Sequence, residues 1–142
     1  MKRIVTVVAA AAAAFTLFTS QASAIDWERD FATATTTSSP GPWQVRGNTW
    51  VAGLFAKNGD WFEVQDLEAD GKSGFVMWEL RNDSGVLVRG GKIWMTKGNG
   101  EARYHNKNFP EGYNLKWRAC AGDYGSTWYD AFFCTEYAYT EV

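Results

Sequence analysis

Histidine and cysteine are scarce in this chain, and the shortage removes several kinds of chemistry. One histidine and two cysteines, with no C-x-x-C pair, fall short of a four-ligand structural zinc site. A Ser-His-Asp or Cys-His mechanism would have to use His105, which lies in the polar stretch "EARYHNKNF". No G-x-S-x-G turn accompanies it, and the sequence reads His105 as a surface residue. Basic residues are scattered and not in excess. That argues against nucleic acid or an anionic membrane as partner, since both reward clustered Lys and Arg. After the first two dozen residues no apolar run approaches the roughly 20 residues of a membrane-spanning helix. No membrane insertion is expected there.

The first residues are of another kind. Lys2 and Arg3 precede an apolar run from Ile4 to Phe18, and Ala22-Ser23-Ala24 supplies a small-x-small cleavage pattern. This predicts a signal peptide over 1–24 and a secreted, extracellular domain over 25–142. A membrane anchor is the alternative, but the run is short for a span. Removing Lys2 and Arg3 turns the formal net charge from −2 into −4. In an exported chain the even pair Cys120 and Cys134 predicts a disulfide.

Turn chemistry recurs about every ten residues: "KNGD", "EADGK", "RNDSG", "KGNGE", "FPEGY". With short apolar runs between, this predicts an all-β fold, a single antiparallel β-sandwich of about seven or eight strands. "TATTTSSPGP" (33–42) reads as a flexible Thr/Ser/Pro loop. Asn58-Gly59 is a strong hairpin signal that sets Phe55 opposite Phe62 and Lys57 opposite Asp60. Continuing the threading predicts a four-strand meander over 49–57, 60–68, 72–81 and 86–95. In it Phe62 opposes Trp78, Val64 opposes Val76, Glu68 opposes Lys72 and Leu80 aligns with Val88. The core face then holds Val51, Phe55, Phe62, Val64, Val76, Trp78, Leu80, Val86 and Val88. Gly90-Gly91 reads as a bulge or bend. Near the C-terminus, facing Cys120 with Cys134 across neighbouring strands sets Arg118 opposite Glu136, Trp117 opposite Tyr137 and Leu115 opposite Tyr139. A bridge between other strands is the alternative.

Several residues could carry function. Trp50, Leu54, Trp61, Glu63, Gln65, Phe75, Met77 and Glu79 share the second face of the meander, with Glu63 diagonal to Glu79. Rings beside two carboxylates suit sugar recognition, and paired carboxylates at the right separation hydrolyse glycosidic bonds. A covering loop such as 33–43, or an ordinary mixed outer face, explains the same pattern without a ligand. Tyr124, Trp128 and Tyr129 sit within the expected disulfide loop, where a constrained segment offers a recognition surface at low entropic cost. Capping one end of the sandwich is the other reading. Asp66, Glu68 and Asp70 followed by Gly71 begin like a calcium loop, but Met77 stands where the closing carboxylate is wanted. A turn explains them without a metal, and no cofactor is expected.

The leader, "FEVQDLEADGKSGFVMWEL" and the late "WRACAGD…FFCTEY" together resemble small secreted, disulfide-containing proteins of soil-dwelling Gram-positive bacteria. The resemblance implies an exported β-sandwich and brings no catalytic residues. The expectation is a monomeric, non-enzymatic binding module for an extracellular glycan or protein, using Trp50, Trp61, Tyr124, Trp128 and Tyr129. The alternatives are a small glycoside hydrolase using Glu63 and Glu79, and an enzyme inhibitor presenting the 121–133 loop.

Overall fold

The computed structural model describes residues 25–124 and 131–142. The expected leader, Trp128 and Tyr129 lie outside the described residues. Among the described residues ten strands form: β1 (Asp26–Phe31), β2 (Gln44–Gly47), β3 (Val51–Ala56), β4 (Trp61–Asp66), β5 (Ser73–Arg81), β6 (Leu87–Met95), β7 (Ala102–Asn106), β8 (Asn114–Gly122), β9 (Ala131–Phe132) and β10 (Ala138–Glu141). One sheet runs β1-β6-β5-β8-β10 with β9 also on β8, and the other runs β2-β3-β4-β7. The sheets pack as an all-β sandwich, and no helix occurs among the described residues. The strands outnumber the expected seven or eight because β2, β9 and β10 are very short. β1 pairs with β6 in parallel, the one departure from antiparallel pairing among the described residues. Its chain leaves for the other sheet, so no hairpin dictates its direction.

The meander breaks between β4 and β5. Asn58-Gly59 closes β3 onto β4 with Phe55 opposite Phe62, as expected. But β4 then pairs with β7, while β5 pairs with β6 and β8. Phe62–Trp78 and Val64–Val76 are therefore not cross-strand pairs; the 67–72 segment carries the chain from one sheet to the other. Gly71 takes a left-handed φ of +80° there. Lys72 pairs with Asp123 at 3.3 Å, not with Glu68. Leu80 lies opposite Arg89, with a register shift at Leu80/Arg81, so Val88 is not its partner.

Alternation along each strand survives that rearrangement, because a sandwich buries the inner face of both sheets. Val51, Phe55, Phe62, Val64, Val76, Trp78 and Leu80 are all buried. Val88 packs against the same core, whereas Val86 is 54% exposed. Rings of Phe55, Phe62, Phe109, Trp78 and Trp117 interlock with centroids 4.7–6.5 Å apart. Each such buried side chain contributes about 2–3 kcal/mol of hydrophobic stabilisation. Gly90 and Gly91 lie in an unbroken ladder, so they mark no bulge. They make room: a Cβ on Gly90 would stand 2.4 Å from the Trp27 ring, and one on Gly91 2.7 Å from the Glu28 carbonyl.

Cys120 and Cys134 form the disulfide. The pairing beyond it is displaced by one residue: Trp117 opposes Ala138 and Leu115 opposes Thr140. Thr135 causes the irregularity. Its N–H donates to the Ala119 carbonyl at 2.8 Å, and its hydroxyl accepts from the Ala119 N–H at 3.1 Å. The extra residue puts small Ala138 in the core beside Trp117 and turns Tyr137 and Tyr139 outward. The expected Arg118–Glu136 pair is not formed; the Arg118 guanidinium lies over the Tyr137 ring at 4.5 Å. Under the disulfide a second apolar cluster joins Phe75, Met77, Trp94 and Cys120, with Phe31 and Ala131 against it.

Candidate functional site

Splitting the meander separates Glu63 from Glu79. Phe62 and Val64 face the core from β4, so Glu63 points out of the four-stranded sheet. Trp78 and Leu80 face it from β5, so Glu79 points out of the six-stranded sheet. Two layers packed about 10 Å apart separate side chains aimed in opposite directions. Glycosidase carboxylates stand roughly 5–9.5 Å apart across one sugar, so these two form no such pair. Glu63 is buried although outward-facing. It accepts from the Gln65 amide and from Tyr104, whose hydroxyl pKa is raised by burial and by this carboxylate. Glu79 is bracketed by Arg81 at 3.4 Å and Lys116 at 3.9 Å.

The other candidates are dispersed. Trp50 stacks on Phe133 with centroids 4.2 Å apart and planes 14° apart. Trp61 is half-buried at the foot of the β3–β4 hairpin, against Gly59. Tyr124 is exposed and meets Phe31 and Trp94 edge-on at 5.7 and 5.6 Å. Asp66 accepts from the Glu68 N–H at 3.3 Å and Asp70 from the Lys72 N–H at 2.9 Å. These carboxylates are thus engaged in closing turns, and burial raises the Asp66 pKa. Among the described residues no group of three His, Cys, Asp or Glu is arranged to hold a metal ion.

His105 is half-buried rather than freely exposed. Its Nδ1 lies 3.0 Å from the Phe31 carbonyl and its Nε2 lies 3.8 Å from Asp30. Around it, at the seam between β1 and β7, stands a charged cluster. Lys107, nearly buried, pairs with Glu28 and with Asp30 and lies 4.7 Å over the Trp78 ring. Arg89 meets Glu28 at 2.7 Å and donates to the Asn108 carbonyl at 3.0 Å. Every carboxylate in this cluster has a cation, so it reads as a structural tie.

A concave surface lies at the hairpin end. Pro42, Trp43, Gln44, Phe55, Lys57 and Thr140 line a groove of about 330 Å³. A second hollow of about 480 Å³ adjoins it through Pro42 and Lys57 and is lined also by Gly41, Asn58, Gly59 and Glu111. Both fall in the size range of small-ligand sites. The Thr/Ser/Pro stretch builds this wall. Ala34 pairs with Tyr104 at the β7 edge, and the chain then spans the sheet to reach β2 at the opposite edge. Gln44 anchors the arrival by accepting from the Trp117 indole at 3.0 Å. Gly41, at φ +81°, leaves room for Trp43, whose Cδ1 would lie 3.1 Å from a Cβ there. The Trp43 ring stands 6.2 Å from Tyr104.

The groove therefore offers an indole, an ammonium, an amide and a hydroxyl, and the adjoining hollow adds the Glu111 carboxylate. Lys57 and Glu111 make no ion pair among the described residues. Asp60, expected to pair with Lys57 beside the turn, is turned inward instead. Its carboxylate accepts from the Phe109 N–H at 2.8 Å, and burial raises its pKa. Sequence reasoning passed over Trp43 and Lys57, because one sat in an apparent linker and the other in a turn. Asn58-Gly59 beside a Pro-Trp pair was the available signal. No known protein family, curated protein or solved structure matches this chain.

Proposed function

We propose that this protein is an exported, non-enzymatic binding module that holds a glycan in the groove walled by Trp43. The observation that carries the reading is the groove that sets an indole beside Lys57 and Thr140, adjoined through Pro42 and Lys57 by a second hollow with Asn58 and Glu111. Sugars present apolar ring faces and hydroxyl edges, and such a mixed lining meets both. Export is supported by the Cys120–Cys134 disulfide, which belongs in an oxidising compartment. No helix among the described residues is long and apolar enough to cross a membrane. The test is retention on insoluble cellulose and chitin and tryptophan-fluorescence titration with xylan, for wild type and Trp43→Ala. Binding that weakens at least tenfold in the variant supports the reading. Unchanged binding, or none to any of the three, overturns it.

A second reading, an inhibitor presenting the disulfide loop, is favoured by one observation. Phe132 and Phe133 are 43% and 44% exposed, and Phe133 adopts φ +50°, a conformation that costs a bulky residue of order 1–3 kcal/mol. Slow, tight inhibition of an extracellular protease panel, lost in Phe133→Gly, would select it over the glycan reading.

A further inference from the structure

We infer that the outer face of the six-stranded sheet is a second ligand surface, separate from the Trp43 groove, and that it takes a carboxylated polysaccharide. Register sets one row across this face: Trp27 beside Gly90, Gly90 beside Glu79, Glu79 beside Lys116, and Lys116 beside Tyr139. Trp27 is 47% exposed and Tyr139 67%. The Trp27 ring lies down on Gly90, where no Cβ could stand. Gly90 and Tyr139 are three strand spacings apart, about 14 Å, so two rings flank a flat strip that suits an extended chain rather than a single sugar.

Between the rings, cations prevail. Lys116 and Arg118 lie 4.0 and 4.5 Å from the Tyr137 ring centroid. Lys116 shares Glu79 with Arg81. Arg118 has no carboxylate partner among the described residues; its Nη2 reaches only the Met77 sulfur at 3.9 Å, and its Nε is buried with no hydrogen-bond partner. Arg29, exposed on the flanking β1, also has no ion pair among the described residues. Glu79 is the acid in the middle, while Glu136 and Glu141 lie at the β10 rim. A guanidinium beside an ammonium, in a chain whose formal charge is negative, is complementary to a carboxylate. Glu79 is suited to accept from sugar hydroxyls, and it disfavours the dense phosphates of nucleic acid.

The experiment compares polygalacturonate, alginate and hyaluronan with methyl-esterified polygalacturonate and a single-stranded oligonucleotide, by titration calorimetry at low and moderate salt. Wild type is expected to bind a carboxylated chain, to lose at least tenfold in affinity on esterification, and to weaken with salt. Lys116→Gln with Arg118→Gln should lose at least tenfold, and Arg118→Lys less. Matching near-ultraviolet circular dichroism of the variants checks that they are folded. Equal binding of the ester, equal binding of the oligonucleotide, no binding of any carboxylated chain, or full affinity in the double variant each overturns the inference.

Discussion

Lys107 reaches Asp30 at 2.8 Å and thereby ties the edge of one sheet to the edge of the other. Asp30 lies on β1, the edge strand of the six-stranded sheet, and Lys107 directly follows β7, the edge of the four-stranded sheet. The same ammonium also serves Glu28. Replacing Lys107 with Ala leaves Glu28 with Arg89 alone and leaves Asp30, partly buried, with only the His105 ring at 3.8 Å. Removing one partner of a fully buried pair costs about 3–5 kcal/mol. Discounting for the partial exposure of Glu28 and Asp30 leaves about 2 kcal/mol. Urea denaturation should show this as a lower midpoint with little change in slope.

The seam also makes stability depend on pH. Burial holds the His105 pKa below its ordinary 6.5, with the Lys107 charge adding to that effect and Asp30 opposing it. The fold thus favours neutral imidazole. Its contribution is complete above pH 6.5 and declines as pH falls toward the lower folded value. Burial alone would raise the Glu28 pKa, but hydrogen bonds from Arg89 and Lys107 outweigh it and hold it below 4.5. That contribution is present above pH 4.5 and is lost as pH falls through the folded value. Asp60 and Asp66, both raised by burial, act in the opposite sense and partly offset the acid loss. Melting temperatures between pH 7.5 and 5 should fall for wild type and fall less for His105→Gln.

Gly91→Ala should be among the more damaging single-methyl changes. The new Cβ would stand 2.7 Å from the Glu28 carbonyl and 3.0 Å from the buried Trp78 ring, and forcing volume into a packed site costs about 1–3 kcal/mol. Gly71→Ala meets nothing within 4 Å and bears only the left-handed backbone cost, about 1 kcal/mol. Thermal unfolding should rank them in that order.

Strand parity was legible in the sequence; strand partnership was not. Phe62, Val64, Val76, Trp78 and Leu80 alternate correctly, and alternation alone selects the buried side. It does not say whether Phe62 and Trp78 lie side by side in one sheet or line opposite walls, because both arrangements bury the same atoms. That ambiguity is what put Glu63 and Glu79 on one imagined face. The disulfide was legible from Cys count and compartment, while the one-residue displacement at Thr135 depended on a hydroxyl standing in for a ladder acceptor. The groove was hidden because Trp43 and Lys57 meet only through a loop that spans a whole sheet.

Trp43 in its groove is the central claim, and binding of a neutral glycan tests it most directly. Wild type and Trp43→Ala, matched in melting temperature, would be compared for retention on cellulose and chitin and for fluorescence quenching by xylan. The groove account predicts saturable binding by wild type to at least one of these and a loss of tenfold or more in the variant. Equal affinity of the two proteins, or no retention of wild type on any of them, contradicts it.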